Sequence, residues 1–266
     1  MSIRASVQDA IACIEIARPE RKNAITAEMY GQLAQALTGA QQDPAVCAIV
    51  LHGAPTVFCA GNDIQDFLQR PPTSHDAEAV RFMQALAGQE KPVIAAVNGA
   101  AVGIGTTLLM HCDLVYCADD AMFSMPFVSL GLCPEFAASL LVPLSAGYHK
   151  AAEKLLLGEP ISADEALDMG IVNRLVPPGQ VLEYAMHQAR RFRALPPAAV
   201  RASKRLLKAG WRTAVEHTMA TELDAFRTLL GSAESREAFN AFLERRKPDF
   251  ARAAAADAGS AVSTKE

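Results

Sequence analysis

Along the first half of the chain, short apolar runs alternate with stretches in which apolar residues recur every three or four positions. Ala10 to Ile16 and Val46 to Leu51 read as strands, and between them Met29, Leu33, Ala36 and Leu37 mark one face of a helix over Thr26 to Gln41. Thr26 suits the N-cap of that helix, with Glu28 in its first turn. Pro92 to Val97 and Asp113 to Cys117 give a third and a fourth strand, so the rhythm is that of an α/β layer.

After Pro134 the spacing turns almost wholly helical, over Ala137 to Leu144, Lys150 to Leu157, Ala163 to Met169, Gly179 to Phe192 and Pro197 to Ala209. Ile171 to Val176 interrupts it as a short strand. Thr213 to Arg246 reads as one helical arm that has to bury a face, either on its own core or against another subunit. The expected division is a core over 1–200, a helical region over 201–250 and a disordered Ala, Gly and Ser-rich tail over 251–266.

Composition narrows the partners. At 266 residues and 51% hydrophobic, the chain can bury a full core without outside staples. Its 25 basic and 29 acidic residues leave a net charge of -4, which argues against nucleic acid. Six cysteines without a Cys-x-x-Cys pair and six scattered histidines without His-Glu-x-x-His read as reduced thiols and no metal site. Met1 to Ala10 carry no leader pattern, Ser263 to Glu266 are no peroxisomal address, and no apolar run is long enough for a bilayer. The expectation is a soluble, cytoplasmic protein with no membrane partner.

Four stretches are candidates for chemistry: Arg21-Lys22-Asn23-Ala24, Phe58 to Ile64, Val97 to Gly105, and Leu130-Gly131-Leu132-Cys133-Pro134-Glu135. Each is a strand end or loop before a helical pattern, where free backbone N–H groups favour negative charge. The glycine run Gly99-x-x-x-Gly103-x-Gly105 is also compatible with a nicotinamide phosphate turn, but it follows three candidate strands instead of one, and no Tyr-x-x-x-Lys pair comes after it. Asn62 and Asp63 equally suit a turn that caps the next helix, and Pro134-Glu135 equally suits a helix start.

In this order the stretches resemble the crotonase superfamily, the enoyl-CoA hydratase/isomerase family, over about Val7 to Phe250. The motifs that carry the resemblance are Arg18 or Arg21 leading to Asn23-Ala24, Ala-Gly-x-Asp at Ala60 to Asp63, Lys-Pro-x-Ile-Ala-x-Val-Asn-Gly at Lys91 to Gly99, and Ala-x-x-Met-Gly-Ile-Val within Ala163 to Val172. The resemblance implies an α/β spiral of ββα turns with a helical C-terminal trimerisation region. It also implies a homotrimer or a dimer of trimers, an acyl-CoA thioester as substrate, and no cofactor beyond the coenzyme A of that substrate. An oxyanion hole for the thioester enolate carries over to the N–H of Asn62 and the N–H of Ile104. Ile104 stands where the family usually has glycine, which is permissible if the turn avoids positive φ there.

Hydratases of the family use two glutamates, and Thr107 and Phe127 occupy those positions here. The details resemble monofunctional Δ3,Δ2-enoyl-CoA isomerases instead, which implies Glu135 as the base that takes a proton from C2 and returns it to C4. For the CoA the resemblance implies Arg21, Lys22, Ala60, Asp63 and Ile64, with Phe242, Arg245 and Lys247 offered by a neighbouring subunit. The alternatives are a hydratase or other crotonase reaction with an atypical acid-base set, and a non-catalytic acyl-CoA-binding protein.

Overall fold

The computed structural model describes residues 2–72, 74 and 76–253; the tail read as disordered lies outside the described residues beyond 253. Two sheets form its centre. β1 (Ile3–Gln8) and β2 (Ile11–Ile16) make a hairpin, followed by β3 (Ala48–His52), β4 (Val57–Cys59), β5 (Val93–Val97), β6 (Ala100–Val102), β7 (Leu114–Ala118), β8 (Met122–Ser124), β9 (Ile161–Ser162) and β10 (Arg174–Val176). A six-stranded sheet runs β1-β2-β3-β5-β7-β10, and a four-stranded sheet runs β4-β6-β8-β9. Successive pairs β3/β4, β5/β6 and β7/β8 place one strand in each sheet, and this gives the spiral of ββα turns.

The helices are α1 (Ala27–Gln42), α2 (Ile64–Gln69), α3 (Glu78–Ala87), α4 (Ile104–Thr107), α5 (Ala138–Ala146), α6 (Tyr148–Leu156), α7 (Ala163–Asp168), α8 (Val181–Arg191), α9 (Pro197–Ala209), α10 (Arg212–Leu230) and α11 (Ala233–Glu244). β3 and β5 pair in parallel, and every residue of β5 is buried, as expected for a strand covered on both faces. α8 lays Val181, Ala185, Met186 and Ala189 against β3, β5 and β7. Thr26 accepts the Met29 N–H as the N-cap of α1, a contribution of about 1 kcal/mol. At the other end, the buried Lys91 donates Nζ to the carbonyls of Ala40 (2.6 Å) and Asp43 (2.5 Å), satisfying acceptors the helix leaves open.

The single arm expected over Thr213 to Arg246 is two helices. Gly231 ends α10, and Ser232 starts α11 by accepting the Ser235 N–H at 3.0 Å, so the local cap chemistry overrides a continuous helical periodicity. The strand expected from Ile171 is confined to β10. α9 runs across residue 200, and its Lys204 donates to Lys91 O (2.8 Å) and Asp113 Oδ2 (2.6 Å), which ties it to the core. No helix among the described residues is long and apolar enough to cross a membrane.

Candidate active site

The first loop leaves β4 at Cys59 and is held from below by Asn23. That residue is fully buried in a left-handed conformation (φ 58°), and its Nδ2 donates to the carbonyls of Val57 and Phe58, each at 3.1 Å. Gly61 then turns with φ 89°, and Asn62 bridges to Ile25 through Ile25 N–H to Gly61 O (2.8 Å) and Asp63 N–H to Ile25 O (2.9 Å). In a parallel bridge of this register the N–H of Asn62 itself faces away from Ile25. It has no hydrogen-bond partner among the described residues.

Asp63 next caps α2, accepting from Gln65 N (3.1 Å) and Asp66 N (3.2 Å), while Arg18 donates to its other oxygen at 2.8 Å. Its carboxylate is therefore occupied by the fold, as the turn-and-cap reading of this loop expects.

The second loop follows β6. Gly103 takes the positive φ (55°) and donates to Ser124 O at 2.8 Å; Ile104, buried, is the first residue of α4 and is not among the residues with positive φ. The condition for a side chain at 104 is thus met by its neighbour. The N–H of a first helical residue has no partner within the helix. Thr106 fixes the turn by donating its hydroxyl to Ala101 O at 2.6 Å. The two loops touch: a Cβ on Gly61 would lie 3.1 Å from Val102 O, and one on Gly105 would lie 2.7 Å from Cys59 O. Asn62 and Ile104 line one cavity of about 900 Å³.

Glu135 approaches from a third loop. A 3-10 turn over Val128–Leu130 ends at Gly131 (φ 66°), and Phe136 and Ala137 both adopt left-handed φ, at 60° and 57°, before α5 begins at Ala138. Glu135 is therefore outside the first turn of that helix, which corrects the helix-start reading of Pro134-Glu135. Its carboxyl group is buried, Oε1 has no hydrogen-bond partner, and its pKa is pushed up to about 8, chiefly by desolvation and further by the charge of Glu222. It lines a cavity of about 310 Å³ with Tyr30, Asn62 and Phe67, and a second of about 430 Å³ with Met83, Met110, Trp211 and Met219. Asn62 borders both the 310 Å³ and the 900 Å³ cavities, so the base candidate and the first loop meet there.

This arrangement can be placed among known proteins. A family model described as enoyl-CoA hydratase/isomerase matches residues 6–253. The chain belongs to that family, the crotonase superfamily. It is 34% identical to crotonyl-CoA hydratase of Syntrophomonas wolfei, covering 91% of this chain and 95% of the relative, and 34% identical to human enoyl-CoA delta isomerase 2, covering 90% and 62%. A solved structure of Pseudomonas aeruginosa OdaA is 47% identical with a TM-score of 0.89, covering 91% of this chain and 98% of that one.

Within this crotonase chain, Arg21, Ala60, Asp63, Ile64, Phe242 and Arg245 all line the 900 Å³ cavity. Phe242 and Arg245 reach it from the same chain that supplies the loops: Phe67 of α2 packs on Phe226 (6.1 Å between ring centres) and Phe239 (5.8 Å), folding α10 and α11 over their own core. Lys22 and Lys247 do not line that cavity. Lys22 instead contributes its carbonyl, which accepts from Ala60 N at 3.1 Å. Phe127 lines the cavity beside Gly103, and Thr107 is wholly buried with an unpartnered hydroxyl, so neither position carries a carboxylate.

Three participants were not singled out in the sequence. Tyr30 donates to Asn62 Oδ1, Glu222 accepts from the backbone after Glu135, and His111 stacks on Phe136 at 3.8 Å while its Nε2 lies 2.8 Å from Phe136 O. Desolvation pushes the His111 pKa down to about 3, so the ring is neutral and Nε2–H donates to that carbonyl. For Tyr30 and His111 the available signal was a polar residue at an otherwise apolar helical position.

Proposed function

We propose that this enzyme converts a 3-enoyl-CoA thioester into the trans-2-enoyl-CoA isomer through a dienolate, with Glu135 carrying the proton. The observation that supports the reading is the buried Glu135 carboxyl, with Oε1 unpartnered and its pKa raised to about 8, in a cavity bordered by Asn62. A carboxylate freed of hydrogen bonds and stripped of water is basic enough to accept a proton near neutral pH.

In the proposed reaction the thioester oxygen sits between the N–H groups of Asn62 and Ile104. Ionised Glu135 takes a proton from C2, and the C–H electron pair spreads over the thioester oxygen, C2 and C4. The two N–H dipoles stabilise the negative oxygen because they already point at it before charge develops. Return of the same proton to C4 moves the double bond into conjugation and regenerates the carboxylate. One base serves both carbons, no water is added, and no cofactor is consumed. Water addition lacks its usual pair of carboxylates because Thr107 and Phe127 occupy those positions.

The CoA portion is assigned to the 900 Å³ cavity, with Arg21 and Arg245 toward the phosphates and Ala60, Asp63, Ile64 and Phe242 along the wall. Lys22 and Lys247, outside that lining, are kept in the proposal as further partners for the phosphates. The proposal includes a cytoplasmic homotrimer or dimer of trimers, for which exposed Leu206, Leu207 and Trp211 supply apolar surface.

The deciding assay mixes purified protein with a medium-chain trans-3-enoyl-CoA and follows absorbance of the conjugated thioester, comparing wild type with Glu135→Gln. Wild-type turnover reduced by roughly 10²- to 10⁴-fold in the variant, with CoA affinity retained, is the expected result. Wild-type protein that binds CoA but forms no conjugated product overturns the isomerase assignment.

A further inference from the structure

The loop that carries Glu135 is held in an unusual backbone conformation, and what holds it comes from the far end of the chain. Phe136 and Ala137 are consecutive left-handed residues with side chains, a conformation that costs on the order of 1 kcal/mol or more for each and persists only where surroundings impose it. Glu222 on α10 supplies the restraint. Its Oε2 accepts from Ala137 N at 2.6 Å, and its Oε1 accepts from Ser139 N at 2.9 Å and Ser139 Oγ at 2.5 Å.

Glu222 is itself buried, at 7% exposure, and both of its oxygens accept hydrogen bonds. A carboxylate receiving three donors is suited to the ionised form, whereas Glu135 has an oxygen with no donor at all. Burial raises the Glu222 pKa above the ordinary glutamate value while the Ser139 and Ala137 donors pull it back down, and its charge in turn raises the pKa of Glu135. Both side chains line the same 430 Å³ cavity.

We propose that Glu222 is a positioning residue for Glu135: it pins the strained backbone on which the base is mounted and supplies the fixed negative charge against which that base titrates. The inference rests on the proposed role of Glu135. Other charged and titratable groups near Glu135 are accounted for. Tyr30 from α1 and the Cys59 thiol at the end of β4 are neutral, because burial pushes both upward. Cys133, on the same loop, is also raised by burial, to about 11. In the 430 Å³ cavity His111 is neutral and Lys208 donates to His111 O at 3.2 Å, with Arg212 and Glu216 on the adjoining wall. On the 310 Å³ side Asp66 and Arg70 pair with each other, beside Asp76 and Glu78. Of these groups, Glu222 combines a negative charge with direct hydrogen bonds to the loop that mounts Glu135.

The test compares wild type, Glu222→Gln and Ser139→Ala in two readouts. One is the pH profile of kcat/KM for the 3-enoyl-CoA. The other is the titration of the Glu135 carboxyl by infrared difference against the matching Glu135→Gln protein, which needs no turnover and so stands even if the isomerase assignment fails. Glu222→Gln is expected to move the Glu135 midpoint down by about one pH unit. It should also lower kcat roughly ten-fold at nearly constant KM, because a loosened base is misplaced more than substrate binding is. Ser139→Ala, which removes the hydroxyl donor and leaves both carboxylates in place, is expected to lower kcat a few-fold, again at constant KM. A Glu135 midpoint unmoved in Glu222→Gln overturns the proposal. Should that variant fail to fold, unchanged kcat in Ser139→Ala overturns it.

Discussion

The phenol of Tyr30 donates to Asn62 Oδ1 at 2.5 Å, tying the first turn of α1 to the residue whose N–H opens into the cavity. Tyr30 is buried against Phe82, with ring centres 5.5 Å apart, and burial together with the nearby Glu135 charge raises its pKa, so it stays a donor across the working pH range. Tyr30→Phe keeps the ring and removes the donor. The expected cost is about 1 to 2 kcal/mol of stability, since Asn62 Oδ1 loses its partner. A roughly five- to ten-fold fall in kcat should accompany it, as Asn62 gains freedom to turn. Steady-state kinetics and urea unfolding on the same preparation check both. An unchanged kcat would detach the Asn62 N–H from the reaction.

The buried Glu135 makes stability depend on pH with a defined sign. Its folded value of about 8 lies above the ordinary glutamate value of about 4.3 for an unfolded chain. Between those values the native state holds a proton that the unfolded state has released, so this group's contribution to stability falls as pH rises through the window and stays low above it. Glu135→Gln cannot ionise. Wild type and variant should therefore have similar urea midpoints near pH 5, and the variant should be more stable at pH 9, by roughly 3 to 5 kcal/mol. A gap that is equal at both pH values would mean that the carboxyl group is not the origin. The direction is the one expected of the proposed base, a group kept at the expense of stability.

Asp63 behaves in the opposite sense. Burial opposes its charge, but the Asp66 N–H and the Arg18 guanidinium outweigh that and hold its pKa below the ordinary aspartate value. Its stabilising contribution is present above the unfolded value and is lost as pH falls through the folded one. Asp63→Ala removes the cap of α2 and the partner of Arg18, with an expected loss of about 1 to 2 kcal/mol at pH 7. Thermal unfolding at pH 7 and again at pH 3 should show the wild-type advantage narrowing at the lower value.

Much of this layout was legible from residue pattern, and the exceptions share physical causes. The buried parallel strands β3 and β5 stand out as apolar runs, and α9 begins and ends at the residues its periodicity predicts. β1 was missed because five of its six residues are exposed on the sheet edge, leaving no apolar signal. β4, β6, β8 and β9 span two or three residues each, too short for alternation to show. The site loops were found through their glycines and the Asn62-Asp63 pair. Glu222 was not, because its role depends on contact with Ala137 and Ser139 more than eighty positions earlier, and on a helical arm its side chain is indistinguishable from a solvated one.

The alignment of the two loops depends on a missing side chain at Gly105. A Cβ there would stand 2.7 Å from Cys59 O and 2.9 Å from Cys59 Cβ, both on the strand end that leads into Asn62. Backbone at that distance cannot swing aside, so Gly105→Ala has to push α4 away from β4. Overpacking of this kind costs about 1 to 3 kcal/mol. The displacement acts directly on the separation between the Asn62 and Ile104 N–H groups, and misplacement by an ångström is worth roughly 10²-fold in rate. Gly105→Ala should therefore lose much more kcat than Gly39→Ala, a comparison site in α1 where a Cβ meets nothing within 4 Å. CoA affinity, read by calorimetry, should change little, because the wall proposed for CoA runs from Ala60 to Ile64 and along α11. Equal activity in the two alanine variants would show that the spacing between these N–H groups does not govern the reaction.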